Sequence, residues 1–243
     1  MDQNDIIAAE PNTPEIECLN KVDLTGSVIH IYRARPSVII LTVAVTGHNV
    51  HDVDYPNVVF YGEAMADSIE KAVVIEGKNY PRVRISGYLR TTRKETDEGV
   101  RFYQNIVGTN IGRTQTNMET LSGKRNIGSH KIPSVNDICV LGRVTNVFPI
   151  RKVGRDQPIG AIVTVRTQAN GRINYPRITC FNSLVSKALS LQRGDVICAT
   201  AFAETTNRDR EDGSRMRFES IIATEIETLD AETAAKRKDT DSE

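Results

Sequence analysis

Two stretches of the sequence space aromatic side chains as a binding surface would: "DYPNVVFYG" at Asp54–Gly62 and "NYPRITCF" at Asn174–Phe181. A β-strand turns successive side chains to opposite faces. Tyr55, Asn57, Val59 and Tyr61 then share one face, and Pro56, Val58 and Phe60 the other, which belongs to the core. In the second stretch Tyr175, Arg177, Thr179 and Phe181 share a face, opposite Pro176, Ile178 and Cys180. Aromatic faces stack flat rings, and a guanidinium binds anionic oxygens. The second set is the better platform, because Arg177 stands between two aromatics where the first set has Asn57. The bland alternative is that Tyr61 and Phe181 pack under a loop or in a subunit interface. Proline donates no ladder bond, so Pro56 and Pro176 mark strand starts.

Charge is distributed unevenly. From Arg143 to Arg193 the basic residues are Arg143, Arg151, Lys152, Arg155, Arg166, Arg172, Arg177, Lys187 and Arg193, opposed only by Asp156. Around "RKETDEGVR", Arg82, Arg84, Arg90, Arg93, Lys94, Arg101 and Arg113 outnumber Glu95, Asp97 and Glu98. A formal net charge of zero excludes a uniformly basic chain but not a local basic footprint. Any one arginine is as well read as a solvated surface residue; the clusters carry the signal.

Little points to catalysis. "GHNVHDVD" gathers His48, His51, Asp52 and Asp54, but in an inter-strand loop with no second ligand cluster elsewhere, so no metal is expected. No Gly-rich phosphate loop, G-x-S-x-G or Cys/His pairing stands out, and neither a cofactor nor an enzymatic activity is expected. Cys18, Cys139, Cys180 and Cys198 form no C-x-x-C pair and read as reduced, mostly buried thiols.

The elements that position these residues come from a repeat. "NKVDLTGSVIHIY" (Asn20–Tyr32) aligns with "NDICVLGRVTNVF" (Asn136–Phe148), matching the Asn, Gly26 with Gly142, and Tyr32 with Phe148. "ILTVAVTG" then matches "AIVTVRTQ", followed by the two Tyr-Pro strands. Next come helix-compatible stretches, "EAMADSIEKAVVIEGK" and "NSLVSKALSLQRGD". A fourth strand ending in Thr-Thr, a charged hairpin and a last strand beginning Arg-Phe complete each unit. Period-two alternation around Gly26 predicts a strand that curves at the glycine.

This order predicts an all-β chain of two tandem OB-folds, five-stranded Greek-key barrels with a short helix between strands 3 and 4. A small sandwich is the alternative. The expected organisation is a flexible acidic tail at 1–15, OB-fold 1 at 16–112, a linker at 113–133, OB-fold 2 at 134–229 and a flexible tail at 230–243. The chain has 243 residues, enough for two such units. Its 39% apolar and 26% charged content is ordinary for a globular protein. No apolar run suggests a membrane span, and the acidic start does not read as a secretory signal.

The first repeat resembles the bacterial single-stranded DNA-binding protein family, in its tandem two-domain form. "NKVDLTG", "VVFYG" and "VRISGYLRTTRKETDEGVRFY" carry the likeness in order and spacing. The second repeat is more diverged and keeps "NDICVLGRV" and "NYPRITCF". The resemblance implies sequence-tolerant binding of single-stranded DNA in replication, recombination or repair. It also implies a homodimer that assembles four OB-folds, in the cytoplasm of a bacterial cell and associated with its nucleoid, or encoded by a phage or plasmid. The chain departs from the family in having no tryptophan, with Tyr55 and Tyr175 at the matching third-strand position. The sequence ends "KDTDSE", without the acidic tail closing in Pro-Phe that recruits replication or recombination proteins in the family.

Sequence-tolerant binding needs aromatic faces for the bases, roughly 1–3 kcal/mol per base, and a basic groove for the phosphates. The expected stacking residues are Tyr55, Tyr61, Tyr175 and Phe181, with Asn57 beside the first pair. The expected phosphate contacts are Lys21, Arg90, Arg93, Lys94, Arg143, Arg166 and Arg177. Tyr32 and Phe148 either stack bases or cap the barrel. The hairpins either stay solvated or clamp DNA with inward-turned basic residues. A rival reading is a replication-restart type of adaptor, an OB-fold protein that mainly binds other proteins.

Overall fold

The computed structural model describes residues 18–46, 53–77, 79–97, 99–114, 134–209 and 215–230. His48, His51, Asp52, most of the expected linker, the second hairpin tip and nearly all of both expected tails lie outside them. The first half runs β1 (Leu19–Arg35), β2 (Val38–Thr46), β3 (Val53–Asp54), β4 (Asn57–Tyr61), α1 (Glu63–Ala72), β5 (Arg82–Thr96) and β6 (Gly99–Arg113). The second half repeats the order as β7 (Val135–Ile150), β8 (Gly160–Ala169), β9 (Arg172–Asn174), β10 (Arg177–Phe181), α2 (Leu184–Ser190), β11 (Val196–Asp209) and β12 (Arg215–Leu229).

The long first strand closes each barrel. Val22, Leu24 and Val28 alternate inward and are fully buried. Up to Ser27, β1 pairs with β5; from Ser27 onward it pairs with β2. The change of partner falls at Gly26, where a Cβ would stand 2.2 Å from the Ala44 carbonyl oxygen. Only glycine permits that approach, which is why the strand bends there. Gly142 does the same in β7 against the Arg166 carbonyl oxygen, also at 2.2 Å. β2 continues to β4, β4 runs parallel to β6, and β6 returns to β5. The sheet therefore closes on itself in the Greek-key order of an OB-fold, and the sandwich alternative falls away.

Each helix sits between strands 3 and 4 of its repeat, as expected. α1 turns Ala66 and Ile69 into the core, one helical turn apart. Arg33 at the end of β1 bridges Asp67 (2.7 Å) and Glu70 (2.6 Å) on its outer side. α2 is shorter and buries Ala188.

The halves join through their first strands. β1 and β7 pair antiparallel from Leu19↔Leu141 to Thr25↔Val135, with Val22 opposite Ile138. Val22 and Ile138 hold the same place in the two repeats, so the seam is locally two-fold. It leaves one continuous sheet of 12 strands and one apolar cluster that runs from Val22 and Leu24 through Ile138 and Val140. Joining first strands also removes an edge that each barrel would otherwise expose.

Asn20 and Asn136 recur because each extends a ladder with its side chain. β1 pairs with β5 as far as Val22↔Gly87. Two residues further, the Asn20 amide replaces the backbone: Leu89 N–H donates to Oδ1 (2.8 Å) and Nδ2 donates to the Leu89 carbonyl (2.8 Å). Asn136 makes the same pair with Ala203, at 3.0 and 2.9 Å.

Several details depart from the sequence reading. β3 and β9 are additional short strands, too brief for alternation to reveal. Val59, expected on the outer face, is only 8% exposed because Ile40 and Val107 flank it in the ladder. The last strands are equivalent one residue off the expected alignment, with Gln104 matching Glu219, since Thr91↔Gln104 corresponds to Thr205↔Glu219. Of the four free thiols only Cys180 is buried; the other three are half-buried. Among the described residues no helix is long and apolar enough to cross a membrane.

Candidate nucleic-acid interface

The third strands reach their positions as the sequence implies. Pro56, Val58 and Phe60 are buried, as are Pro176, Ile178 and Cys180. Each proline stands immediately before its strand. The opposite faces carry Tyr61, exposed, and Phe181, half-buried.

Cross-strand register extends those faces into a surface. Tyr32 lies opposite Ile40, Ile40 opposite Val59, and Val59 beside Val107. Directly paired residues project to the same side. Tyr32 therefore stands on the outer face with Tyr61, and does not cap the barrel end. Phe148 does the same through Ile162 and Thr179. Tyr32, Tyr61 and Phe148 are 56%, 46% and 49% exposed. Burying such rings under a ligand is favourable, so an exposed row of them marks a contact surface.

The sequence reading passed over a third aromatic pair. Tyr103, opposite Thr92, and Phe218, opposite Thr206, occupy equivalent rungs of the two hairpins and are exposed. Each outer face thus bears three rings at matching places: Tyr32, Tyr61 and Tyr103 in the first half, Phe148, Phe181 and Phe218 in the second. The signal was present as the exposed position of the "RFYQ" alternation, but only the register aligns it with "RFES".

Arg90 is brought to this face. Its guanidinium lies 5.1 Å from the centre of the Tyr61 ring. Lys94 and Arg101 follow on the same face, paired four rungs along the hairpin. Arg93 projects to the other side, with Phe102, and ion-pairs with Glu95 at 3.3 Å. Lys21 ion-pairs with Asp23 (2.9 Å) on the β1 seam. Arg143 is half-buried and donates to the Gly194 carbonyl (3.2 Å); Arg166 lies opposite it and is exposed.

Tyr55 and Tyr175 are placed differently. Each sits at the seam, clasped by the hairpin of the other half. The Tyr55 N–H donates to Thr205 Oγ1 (2.9 Å), and the Tyr175 N–H to Thr91 Oγ1 (2.8 Å). One step on, the Asn57 N–H donates to Glu219 Oε2 (2.9 Å), and the Arg177 N–H to Gln104 Oε1 (2.7 Å). Gln104 Nε2 also donates to the Arg177 carbonyl (3.1 Å). Arg217 lies over the Tyr55 ring at 5.6 Å, and Arg177 over the Phe102 ring at 5.1 Å. The Asn57 side chain accepts from Thr42 Oγ1 (2.8 Å). The four members Tyr55, Asn57, Tyr175 and Arg177 are thus tied into the joint between the halves, which no local pattern could reveal.

The clasp differs electrostatically between its two ends. Where Gln104 is neutral, Glu219 is a carboxyl. Burial pushes its pKa up to about 7, partly offset by the Asn57 N–H and by Arg217. Burial also lowers the pKa of Arg217. Among the described residues no group of three or more His, Cys, Asp or Glu could hold a metal ion.

No protein-family model matches the sequence, and no curated protein matches it either. Solved structures do match in fold. The wild-type single-stranded DNA binding protein from Thermus aquaticus superposes with a TM-score of 0.57 at 15% identity, covering 88% of this chain and 94% of that one. A deletion mutant of the same protein gives 0.55 at 14% identity, covering 88% and 95%. The likeness spans both halves, so the tandem arrangement of two OB-folds is part of it.

Proposed function

We propose that this chain binds single-stranded DNA without strong sequence preference and protects it during replication, recombination or repair. The observation that carries the reading is the trio of aromatics repeated on the outer faces of the two barrels, five of the six rings exposed and Phe181 half-buried. Stacking is indifferent to base identity because every base offers a π-face. In this reading Tyr32, Tyr61, Phe148 and Phe181 stack bases, joined by Tyr103 and Phe218. Arg90, Lys94 and Arg166 contact phosphates. Lys21, Arg93 and Arg143 add longer-range positive potential. Tyr55, Asn57, Tyr175 and Arg177 hold the halves in register and border the strand's path. The fold likeness to the Thermus aquaticus protein, named for binding single-stranded DNA, supports the same conclusion.

The chain acts by occupying bases and backbone, in the cytoplasm, with no bond made or broken. It works as a homodimer that presents four OB-folds, so graded oligonucleotides with mass measured in solution should report a dimeric complex.

The test is a stacking variant. Tyr61→Ala combined with Phe181→Ala should weaken oligo-dT binding by at least tenfold, since each lost stack contributes roughly 1–3 kcal/mol. Unchanged affinity in a folded variant would count against stacking, and capture of a protein partner with no oligo-dT affinity would favour the adaptor reading.

A further inference from the structure

The β5–β6 hairpin has two faces, and they serve different barrels. Paired residues share a face, and neighbours along a strand alternate. Tyr103 and its partner Thr92 stand on the outer face of the first barrel, with Arg90; Phe102 and its partner Arg93 turn to the second barrel. On that side Gln104 docks the hairpin on β10, accepting from the Arg177 N–H and donating to the Arg177 carbonyl. Phe102, two residues nearer the tip, lies against the exposed Arg177 side chain, its ring centre 5.1 Å from the guanidinium. The ring is 53% exposed. A ring that only packed the joint would be covered, whereas this one keeps half its surface open beside a cation.

The second joint repeats the pair with its ends exchanged. The rung equivalent to Arg93↔Phe102 is Asn207↔Arg217. The β11–β12 hairpin therefore offers the first barrel a guanidinium where β5–β6 offers the second barrel a ring. The ring comes instead from Tyr55, 5.6 Å from Arg217. Each joint holds one ring and one guanidinium, one from each half, although the residues at matching positions differ.

We infer that the two joints are composite nucleotide subsites, in which a ring and a guanidinium from opposite halves take the base and the phosphate of a strand crossing between the barrels. This inference rests on the single-strand reading above. A ring face stacks any base, and a guanidinium binds phosphate oxygens. Arg177 shares the outer face of β10 with Phe181, about 13 Å away along the strand. Phe102 thus adds a stacking position between the second platform and the hairpin side that bears Tyr103. Neither half holds a complete site, because each borrows a side chain from the hairpin of the other. Arg217 shares its surroundings with Glu219 and Asp54, so the Phe102 joint is the one to test.

The chain has no tryptophan, so Phe102→Trp and Tyr61→Trp each introduce a single fluorescent reporter. The full chain is titrated with oligo-dT of about 30 nucleotides, enough to span two OB-folds at roughly 4–16 nucleotides each. A base stacked on the indole quenches its emission, so both reporters should dim in step with binding. Phe102→Leu keeps an apolar side chain at the joint but no ring face. It should weaken binding by at least about fivefold, the loss of one stacked base, with an unchanged circular dichroism spectrum. If oligo-dT binds while Phe102→Trp keeps its emission, or Phe102→Leu binds like the unaltered chain, Phe102 serves the joint alone and the inference is overturned. Dimming of Tyr61→Trp in the same titration then leaves the single-strand reading standing. If the unaltered chain does not bind oligo-dT at low salt, the single-strand reading itself fails.

Discussion

The Arg177 guanidinium lies 5.1 Å from the centre of the Phe102 ring, joining the third strand of one barrel to the hairpin of the other. With the Tyr175–Thr91 and Arg177–Gln104 hydrogen bonds it makes one arm of the clasp. A double-mutant cycle of Arg177→Ala and Phe102→Ala, read by urea denaturation, should give a coupling of about 0.5–1 kcal/mol. Additive effects would mean the contact is incidental. Arg177→Ala should also weaken oligo-dT binding less than Arg90→Ala does.

Asn20 and Asn136 continue ladders that the backbone cannot, since β1 and β7 bend away to meet each other. Asn20 is buried and both its amide groups are engaged. Asn20→Ala leaves the Leu89 N–H and C=O without partners and should cost about 1–3 kcal/mol. Asn136→Ala should cost a similar amount against Ala203. A loss of under about 0.5 kcal/mol, typical of a surface change, would contradict this role.

Glu219 should make stability fall with rising pH. Its folded pKa of about 7 lies above the ordinary 4.5, chiefly through burial. Between those values the folded chain holds a proton that the unfolded chain has released, so the slope of stability against pH is negative there. The contribution is complete below about 4.5 and lost as pH rises through about 7. It is on the order of 3 kcal/mol. Glu219→Gln copies Gln104 at the other end of the clasp and should abolish that decline. Melting temperatures from pH about 5 to about 8 decide it; a variant that keeps the slope would place its origin elsewhere.

The sequence made the repeat, the strand order, both helices, the bends at Gly26 and Gly142 and the core faces of both Tyr-Pro strands legible, because each leaves a local periodic trace. The seam left none. Val22 opposite Ile138, and Thr91 against Tyr175, join residues more than 80 positions apart, and alternation reports only which face a residue takes. For the same reason the sequence does not reveal that a threonine of the opposite hairpin accepts from the backbone N–H of Tyr55 and of Tyr175. Tyr103 and Phe218 were overlooked because a one-residue slip hid their equivalence. Tyr61 and Arg90 were both named from sequence, but their contact depends on the β4–β6–β5 order.

Affinity for oligo-dT as a function of salt tests the central claim most directly. The account predicts submicromolar binding near ~50 mM salt, weakening by at least about tenfold near ~200 mM as phosphate contacts re-exchange with counterions. It also predicts little difference between oligo-dT and mixed-sequence strands, since stacking carries the bases. Negligible binding at the lower salt, or tighter binding to duplex than to single strands, would contradict it.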